Sequence, residues 1–194
     1  MPERLKSPRL RLFVALDLPD SVLDPLVQWR ERHLGAVQGA RLVPRASLHF
    51  TLVFLGYQYE RDVERIASLC FEDPAGPFEL RPTVLAGIPP RRPRLYALGL
   101  EDSGDAVTAW QQQLSDRLHA AHLYEPEKRP FWTHVTLARG RRDRALARLE
   151  EPLAVSGELS RPFTPERATL YRSTLSPSGA VYDPLARTDL ADMQ

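Results

Sequence analysis

The sequence predicts an α+β fold of two pseudo-symmetric lobes, each a sheet with helices on its outer face. Strand and helix patterns alternate along the chain, the order in the second half restates that in the first, and a His-x-Thr triplet occurs once in each half. The 194 residues are 43% hydrophobic and 26% charged, which is typical of a globular protein. We therefore predict one domain, residues 1–194, with an approximate internal duplication of 9–90 and 94–190.

The first half begins with alternating strand formers at 9–18, followed by a helix from about residue 20 with apolar residues at helical spacing. Asp20 or Ser21 is the expected N-cap. A short strand, "RLV", precedes the strand "SLHFTLVFLG" at 47–56. Residues 59–71 predict a second helix and 78–88 another strand.

The second half repeats this order. It has a strand at 94–100, a helix at 103–123 with Ser103 as a plausible cap, and the strand "FWTHVTLAR" at 131–139. A short arginine-rich helix near 141–150 and a hairpin turning at "SPSG" follow. No long linker separates the halves, so both lobes should share one compact body.

Composition excludes some classes of protein. The single cysteine, Cys70, cannot form an internal disulfide or a cysteine zinc site, and its helical context predicts a buried apolar role. No apolar run approaches the roughly 20 residues of a membrane span, and no signal-peptide core follows the basic start, so we expect a cytoplasmic protein. The net charge is only +1. The clusters "RRPR" (91–94) and "RGRRDR" (139–144) are either solvated surface or a guide for nucleic acid.

The His-x-Thr triplets place polar side chains in two apolar strands. Side chains alternate faces along a strand, so Leu48, Phe50, Leu52 and Phe54 are expected to face the core. Ser47, His49, Thr51 and Val53 should then share the other face. In the second strand the corresponding set is Trp132, His134, Thr136 and Ala138. If two such lobes face each other, His49, Thr51, His134 and Thr136 converge on one cleft.

Two histidines across a cleft suit displacement at phosphorus. A histidine is neutral or protonated near pH 7, so one imidazole can take a proton from a nucleophile while one imidazolium protonates a leaving group. The threonine hydroxyls can bond non-bridging phosphate oxygens, and an arginine can compensate developing charge.

Simpler interpretations stay open at this point. A single strand histidine is usually a packing or surface residue, but two copies in matching strands favour function. Two histidines and a carboxylate can also hold a metal, although no acidic residue lies on the strand faces beside either histidine.

With these motifs the chain resembles the 2H phosphoesterase superfamily, in its LigT/ThpR branch of RNA 2′,3′-cyclic phosphodiesterases, also called 2′-5′ RNA ligases. The resemblance is carried by "RLFVALDLP", "LHFTLVFLG", "FWTHVTLAR" and "LYRSTLSPSGAVY", which span nearly the whole chain. It implies two antiparallel-sheet lobes around a central cleft. It also implies metal-independent hydrolysis of an RNA 2′,3′-cyclic phosphate to a 2′-phosphomonoester.

Carried over by motif position, the resemblance makes His49 the proton donor and His134 the proton acceptor. Thr51 and Thr136 would hold the phosphate. Arg139 closes its motif as the family does, but strict alternation puts it on the face away from His134, so a bulge or the strand's end would have to redirect it.

Several expectations about ligands accompany this assignment. Phe13 and Trp132 are candidates for stacking on a base. No cofactor, metal or obligate protein partner is expected, and the chain should be a monomer acting on RNA ends or nucleotides in RNA processing. Joining of RNA ends is a possible second activity. The alternatives are a non-catalytic binder of cyclic-phosphate or 2′-phosphate ends, a phosphodiesterase on 2′-5′ oligonucleotides or small cyclic phosphates, and a metal hydrolase.

Overall fold

The computed structural model describes residues 8–72, 76–141, 143–150, 153–176 and 179–190. Three α-helices and nine strands lie in these ranges. The helices are α1 (Asp20–Leu34), α2 (Val63–Phe71) and α3 (Ala106–Ala120). The strands are β1 (Arg9–Asp17), β2 (Ala40–Leu42), β3 (Phe50–Tyr59), β4 (Leu80–Ile88), β5 (Leu95–Asp102), β6 (His134–Gly140), β7 (Leu153–Ala154), β8 (Arg167–Ser176) and β9 (Gly179–Asp189).

The strands form an antiparallel sheet in two parts. Their order is β7-β4-β5-β6-β3-β1-β8-β9, with β2 also paired to β6. Strands β3 and β6 are joined by one pair, Phe50 and Val135, whereas every other neighbour pair in this order shares two or more. We call β3-β1-β8-β9 the first half-sheet and β7-β4-β5-β6 with β2 the second. The predicted α+β class with two antiparallel-sheet lobes is confirmed.

Each half-sheet takes strands from both halves of the chain. Strand β4 pairs with β5, across the predicted junction at residues 90–94. Strand β2 pairs with β6, and β8 pairs with β1. An origin by duplication stays a prediction, but the segments 9–90 and 94–190 do not form separate sheets.

Bulges follow both His-x-Thr triplets and interrupt the simple alternation. Ala15 pairs with Thr51 while Val14 pairs with Val53, so Leu52 is an extra residue in β3. Beyond a bulge the side chains change face. Val53 is therefore buried and Phe54 is 39% exposed, the reverse of the predicted faces. In β6 the extra residue is Leu137, and Ala138 joins the core instead of sharing the His134 face.

The helices pack outside the sheet. Helix α2 contacts α3 and β9, and α3 also contacts β3 and β5. Cys70 is buried in α2 as predicted, and burial raises the pKa of its thiol to about 12. The helix predicted near 141–150 is wrong, because the described residues there have no regular structure. Among the residues described, none of the helices has the length and apolar character that crossing a membrane requires.

The N-cap position of α3 is Asp105, and the side chain that bonds the first N–H groups of the helix is that of Asp102, not that of the predicted Ser103. The Asp102 carboxylate accepts hydrogen bonds from the backbone N–H groups of Val107 and Thr108 and from the Thr108 hydroxyl. These bonds satisfy donors that have no partner within the helix. The Ser103 hydroxyl instead donates to Glu79.

We predict that Asp102→Ala lowers the free energy of unfolding by about 1–2 kcal/mol, because two backbone donors of α3 lose their acceptor. Ser103→Ala is the matched control and should cost less, since its hydroxyl bonds only an exposed carboxylate. Chemical denaturation of both variants measures the difference. A larger loss for Ser103→Ala would contradict the assignment of the cap.

Candidate active site

A cleft lies where the two half-sheets diverge beside the Phe50–Val135 pair. It encloses about 320 Å³ of empty space, part of which is open to bulk solvent. The structure brings together both predicted histidines, both threonines and Arg139. The lining residues are Val43, Ser47, His49, Thr51, His134, Thr136, Arg139 and Tyr182.

Both histidine rings are oriented by a hydrogen bond from Nδ1 to the backbone carbonyl two residues earlier. The Nδ1 atom of His49 lies 2.8 Å from the carbonyl oxygen of Ser47, and Nδ1 of His134 lies 2.7 Å from that of Trp132. A carbonyl oxygen only accepts, so each Nδ1 carries a proton and donates. In a neutral ring Nε2 is then unprotonated, and it is the atom left to exchange a proton with a ligand.

Burial disfavours the protonated form of both rings. The pKa of His49 is lowered to about 4, mainly by burial and to a smaller extent by the charges of Arg139 and His134. The bond to Ser47 and the charge of Asp17 act in the opposite direction. Burial also lowers the pKa of His134, with a smaller contribution from Arg139. In the free protein both imidazoles are therefore neutral at pH 7.

The bulge at Leu137 brings Arg139 into the cleft. Strict alternation would place Arg139 opposite Thr136, but the extra residue between them returns its side chain to the Thr136 side. The Arg139 side chain is exposed, which suits a guanidinium that meets an incoming anion. The bulge that the sequence pattern required to turn Arg139 toward His134 is therefore present in β6.

Asp17 is a carboxylate that the strand patterns did not connect with the cleft. It ends β1 and accepts hydrogen bonds of 2.8 Å from the Thr169 hydroxyl and 2.6 Å from the Tyr171 hydroxyl. Burial and, to a smaller extent, the bond to Asp17 together raise the pKa of Tyr171 to about 12, so the phenol stays a donor. Asp17 is thereby fixed where its charge favours protonated His49.

The His49 ring rests on an aromatic cluster. Its centroid lies 4.8 Å from that of Phe13 and 5.1 Å from that of Tyr182. Phe13 is 3% exposed and also contacts Tyr171, at 5.2 Å. Phe13 therefore packs behind His49, and Tyr182 is the ring of this cluster that lines the cleft. The pattern of β9 gave no indication of Tyr182, because its position depends on how β9 pairs across the sheet.

Trp132 lies on the other side of the cleft, stacked on His134. The two ring centroids are 4.3 Å apart with an interplanar angle of 12°. Trp132 is 39% exposed, so it holds the His134 ring from one side and keeps an accessible edge. A role in base stacking stays a prediction for Trp132. It does not fit Phe13, whose ring is 3% exposed and packs against His49, Tyr171 and Tyr182.

The arginine clusters lie outside this cleft, apart from Arg139. Arg91, Arg92 and Arg94 are exposed in the turn between β4 and β5, and Arg141, Arg144 and Arg148 are exposed in the irregular segment after β6. Across the described ranges, no group of three or more His, Cys, Asp or Glu side chains is arranged to hold a metal ion. Among the described residues, those that line the cleft carry two imidazoles, three aliphatic hydroxyls, a guanidinium and a phenol.

Comparison with known proteins assigns the family. The model of the 2′-5′ RNA ligase superfamily matches residues 18–176, which include both His-x-Thr triplets. The chain belongs to the 2′-5′ RNA ligase superfamily. This confirms the resemblance drawn from the motifs.

Relatives in this superfamily cover most of the chain. The RNA 2′,3′-cyclic phosphodiesterase of Archaeoglobus fulgidus is 30% identical over 69% of this chain and 74% of its own length. TT0787 of Thermus thermophilus has a TM-score of 0.81 and 26% identity, covering 95% of this chain and 100% of its own. Escherichia coli LigT complexed with 3′-AMP has a TM-score of 0.78 and 25% identity over the same shares.

We predict that His49 makes the fold sensitive to mild acid. The unfolded chain protonates this histidine below about pH 6.5, whereas the folded chain does so only near pH 4. The folded state is therefore stabilised above pH 6.5, and this contribution is lost as the pH falls toward 4. The expected loss from His49 between pH 6.5 and 5 is about 2 kcal/mol.

Denaturant unfolding at pH 6.5 and pH 5 tests this, with His49→Asn as the matched variant. Asparagine keeps a donor for the Ser47 carbonyl but does not titrate. The natural chain should lose more stability than the variant on acidification. Equal losses would show that His49 does not have the lowered pKa.

Proposed function

We propose that this protein hydrolyses the 2′,3′-cyclic phosphodiester at an RNA end to a 2′-phosphomonoester, by two-histidine general acid–base catalysis without a metal. The observation that carries the proposal is the matched pair of histidines, each with Nδ1 bonded to a carbonyl two residues earlier and both lining one cleft with two threonines and an arginine. The name of the Archaeoglobus relative supports the substrate, and the LigT complexes with 3′-AMP and with phosphate support a nucleotide-binding cleft.

In the proposed reaction His134 Nε2 takes a proton from water as the water oxygen attacks phosphorus. The bond between phosphorus and O3′ breaks, and His49 Nε2 donates its proton to the departing O3′. The products are a 2′-phosphomonoester and a free 3′-hydroxyl; His134 has gained one proton and His49 has lost one. The assignment of donor and acceptor is supported by motif position. The charge of Asp17 acts toward protonated His49, but burial outweighs it in the free protein and lowers the pKa of His49 to about 4.

The remaining side chains would stabilise charge on the phosphate. The Thr51 and Thr136 hydroxyls can donate to the non-bridging oxygens, and Arg139 supplies a positive charge at the cleft. Donors placed where negative charge develops lower the barrier because they need no reorganisation during the reaction. The phosphate anion would also disfavour deprotonation of His49, so that the bound substrate helps to keep the general acid protonated.

The same pair of histidines can serve joining of RNA ends. If an RNA 5′-hydroxyl replaces water as the nucleophile, the same P–O3′ bond breaks and a 2′-5′ linkage forms. His134 would then take the proton of the 5′-hydroxyl, and His49 would again protonate O3′. The superfamily's description as 2′-5′ RNA ligases favours this as a second activity.

We predict that a nucleoside 2′,3′-cyclic phosphate is hydrolysed in excess chelator, with the 2′-phosphate as product. His49→Ala and His134→Ala should each lower kcat by roughly 10²–10⁴-fold, the range for general acid–base groups. Chromatography of the product isomers and steady-state kinetics provide the measurement.

Different failures of this experiment point to different alternatives. Binding of the cyclic end without turnover would favour a non-catalytic binder. Loss of activity in chelator, restored by a divalent metal, would favour a metal hydrolase. Turnover of 2′-5′ oligonucleotides but not of cyclic ends would favour a phosphodiesterase that acts on 2′-5′ linkages. Variants that keep full activity would reduce the two histidines to packing residues.

We predict that the pH profiles of kcat/KM and kcat differ. The profile of kcat/KM reflects the free enzyme, whose histidine pKa values are lowered, and that of kcat reflects the substrate complex. The phosphate anion raises both pKa values in the complex, so the descending limb of kcat should lie at higher pH than that of kcat/KM. Rate measurements from pH 4 to 9 on one mononucleotide test this. Coincident limbs would contradict a substrate-dependent protonation of the acid.

A further inference from the structure

A row of arginine and aromatic side chains continues from the cleft along the first half-sheet. On β1, Phe13, Arg11 and Arg9 share one face because they alternate in the strand. On β3, three aromatic residues lie directly opposite them. The pairs are Phe13 with Phe54, Arg11 with Tyr57, and Arg9 with Tyr59. Directly paired residues project from the same face of a sheet, so these side chains form one row, which begins beside His49.

Contacts within this row join each arginine to an aromatic ring. The Arg11 guanidinium lies 4.4 Å from the centroid of Phe54 and donates a 2.8 Å hydrogen bond to the Ser173 hydroxyl. The Arg9 guanidinium lies 4.6 Å from the centroid of Tyr59 and donates to its hydroxyl at 3.0 Å. These contacts hold the arginine side chains against rings and leave their positive charges uncompensated. Within the described part of the chain, neither arginine forms an ion pair.

The row is open to solvent where the cleft ends. Phe54 is 39% exposed and Tyr57 is 61% exposed, whereas Phe13 at the cleft is only 3% exposed. Large aromatic side chains are normally buried more fully than this. At the far end, Glu60 follows Tyr59 in the chain, and the Arg61 guanidinium lies 4.7 Å from the Tyr59 ring centroid.

The two bulges give Phe54 and Arg139 equivalent positions in their half-sheets. Phe54 follows Thr51 by three residues across a bulge, as Arg139 follows Thr136 in the second motif. Phe54 therefore takes the position in the first half-sheet that Arg139 takes in the second. The guanidinium missing from position 54 is supplied by Arg11, which lies over the Phe54 ring. Arg139 lines the cleft, and Arg11 lies over the residue at the equivalent position of the first half-sheet.

We propose that Arg11, Phe54, Tyr57, Arg9 and Tyr59 form a binding track for the single-stranded RNA nucleotides on the 5′ side of the cyclic end. The inference rests on the proposed function, because it takes the cyclic phosphate to occupy the cleft. The residues that line the cleft surround the two histidines, so we take the cleft to hold the terminal cyclic phosphate and its sugar while the preceding chain lies outside it. Aromatic rings stack on any base, and arginines follow the phosphates. The track is thus expected to recognise RNA length without a strong preference for sequence.

The experiment compares two substrates. One is adenosine 2′,3′-cyclic phosphate, which reaches only the cleft. The other is a single-stranded tetranucleotide with a 2′,3′-cyclic phosphate end, which also reaches the track. The measured quantity is the ratio of kcat/KM for the tetranucleotide to kcat/KM for the mononucleotide. In the natural chain we expect a ratio of at least about 10, within the range of one stacked base.

Three variants locate the binding energy. Tyr57→Ala should lower the ratio about 5-fold or more, while Tyr57→Phe should keep it because the ring still stacks. Arg9→Gln should lower the ratio and make it less dependent on salt, since one phosphate contact is lost. As a control, Arg91→Gln with Arg92→Gln removes positive charge from the turn between β4 and β5, and it should leave the ratio unchanged.

The outcomes separate this inference from the proposed function. A mononucleotide that is hydrolysed with a ratio near 1 would overturn the track and leave the function in place. A ratio that falls with the Arg91 and Arg92 substitutions but not with Tyr57→Ala would place the RNA on the second half-sheet instead, and would also overturn it. If no cyclic end is hydrolysed, the proposed function fails, and the track, which takes the cyclic phosphate to occupy the cleft, is overturned with it.

Discussion

The site depends on one contact, the pairing of Phe50 with Val135. This pair alone joins β3 to β6 along the described sheet, and both side chains are buried, at 0% and 1% exposure. Each residue directly follows a histidine in the chain. The join therefore fixes the distance between the two His-x-Thr triplets, while the divergence of the strands beyond it opens the cleft. A substitution at Phe50 or Val135 would therefore change the distance between His49 and His134.

Much of the site was readable from the sequence because it depends on local pattern. A polar residue at every second position of an apolar strand identifies a shared face, and this placed His49 with Thr51 and His134 with Thr136. The sequence also indicated that Arg139 needed a bulge to reach them. The bulges themselves were not predictable, because a bulge is defined by the register of two strands and not by one. The bulge at Leu52 is the reason why Phe54 is exposed and Val53 is buried, contrary to the predicted faces.

Other features depend on contacts distant in the chain. Asp17 reaches its partners Thr169 and Tyr171 only because β1 pairs with β8. Tyr182 enters the cleft because β9 extends the same half-sheet. The predicted helix near 141–150 failed for a different reason, since spacing of apolar residues cannot decide whether a short charged segment finds a surface to pack on. The fold class and the motif residues could be predicted from the sequence. The residues that surround the motifs, such as Asp17 and Tyr182, could not, because strand pairing brings them there.

The exchange of strands between the halves affects how the chain acquires its cleft during synthesis. Strand β1 emerges early but lies between β3 and β8 in the finished sheet. Until β8 has left the ribosome, one edge of β1 has no backbone partner, and an unpaired edge invites association with other chains. Asp17, at the end of β1, also has no hydrogen-bond donor until Thr169 and Tyr171 of β8 have been synthesised. The surroundings of His49 are therefore complete only after nearly the whole described chain has been made. Both His-x-Thr triplets are synthesised before that point.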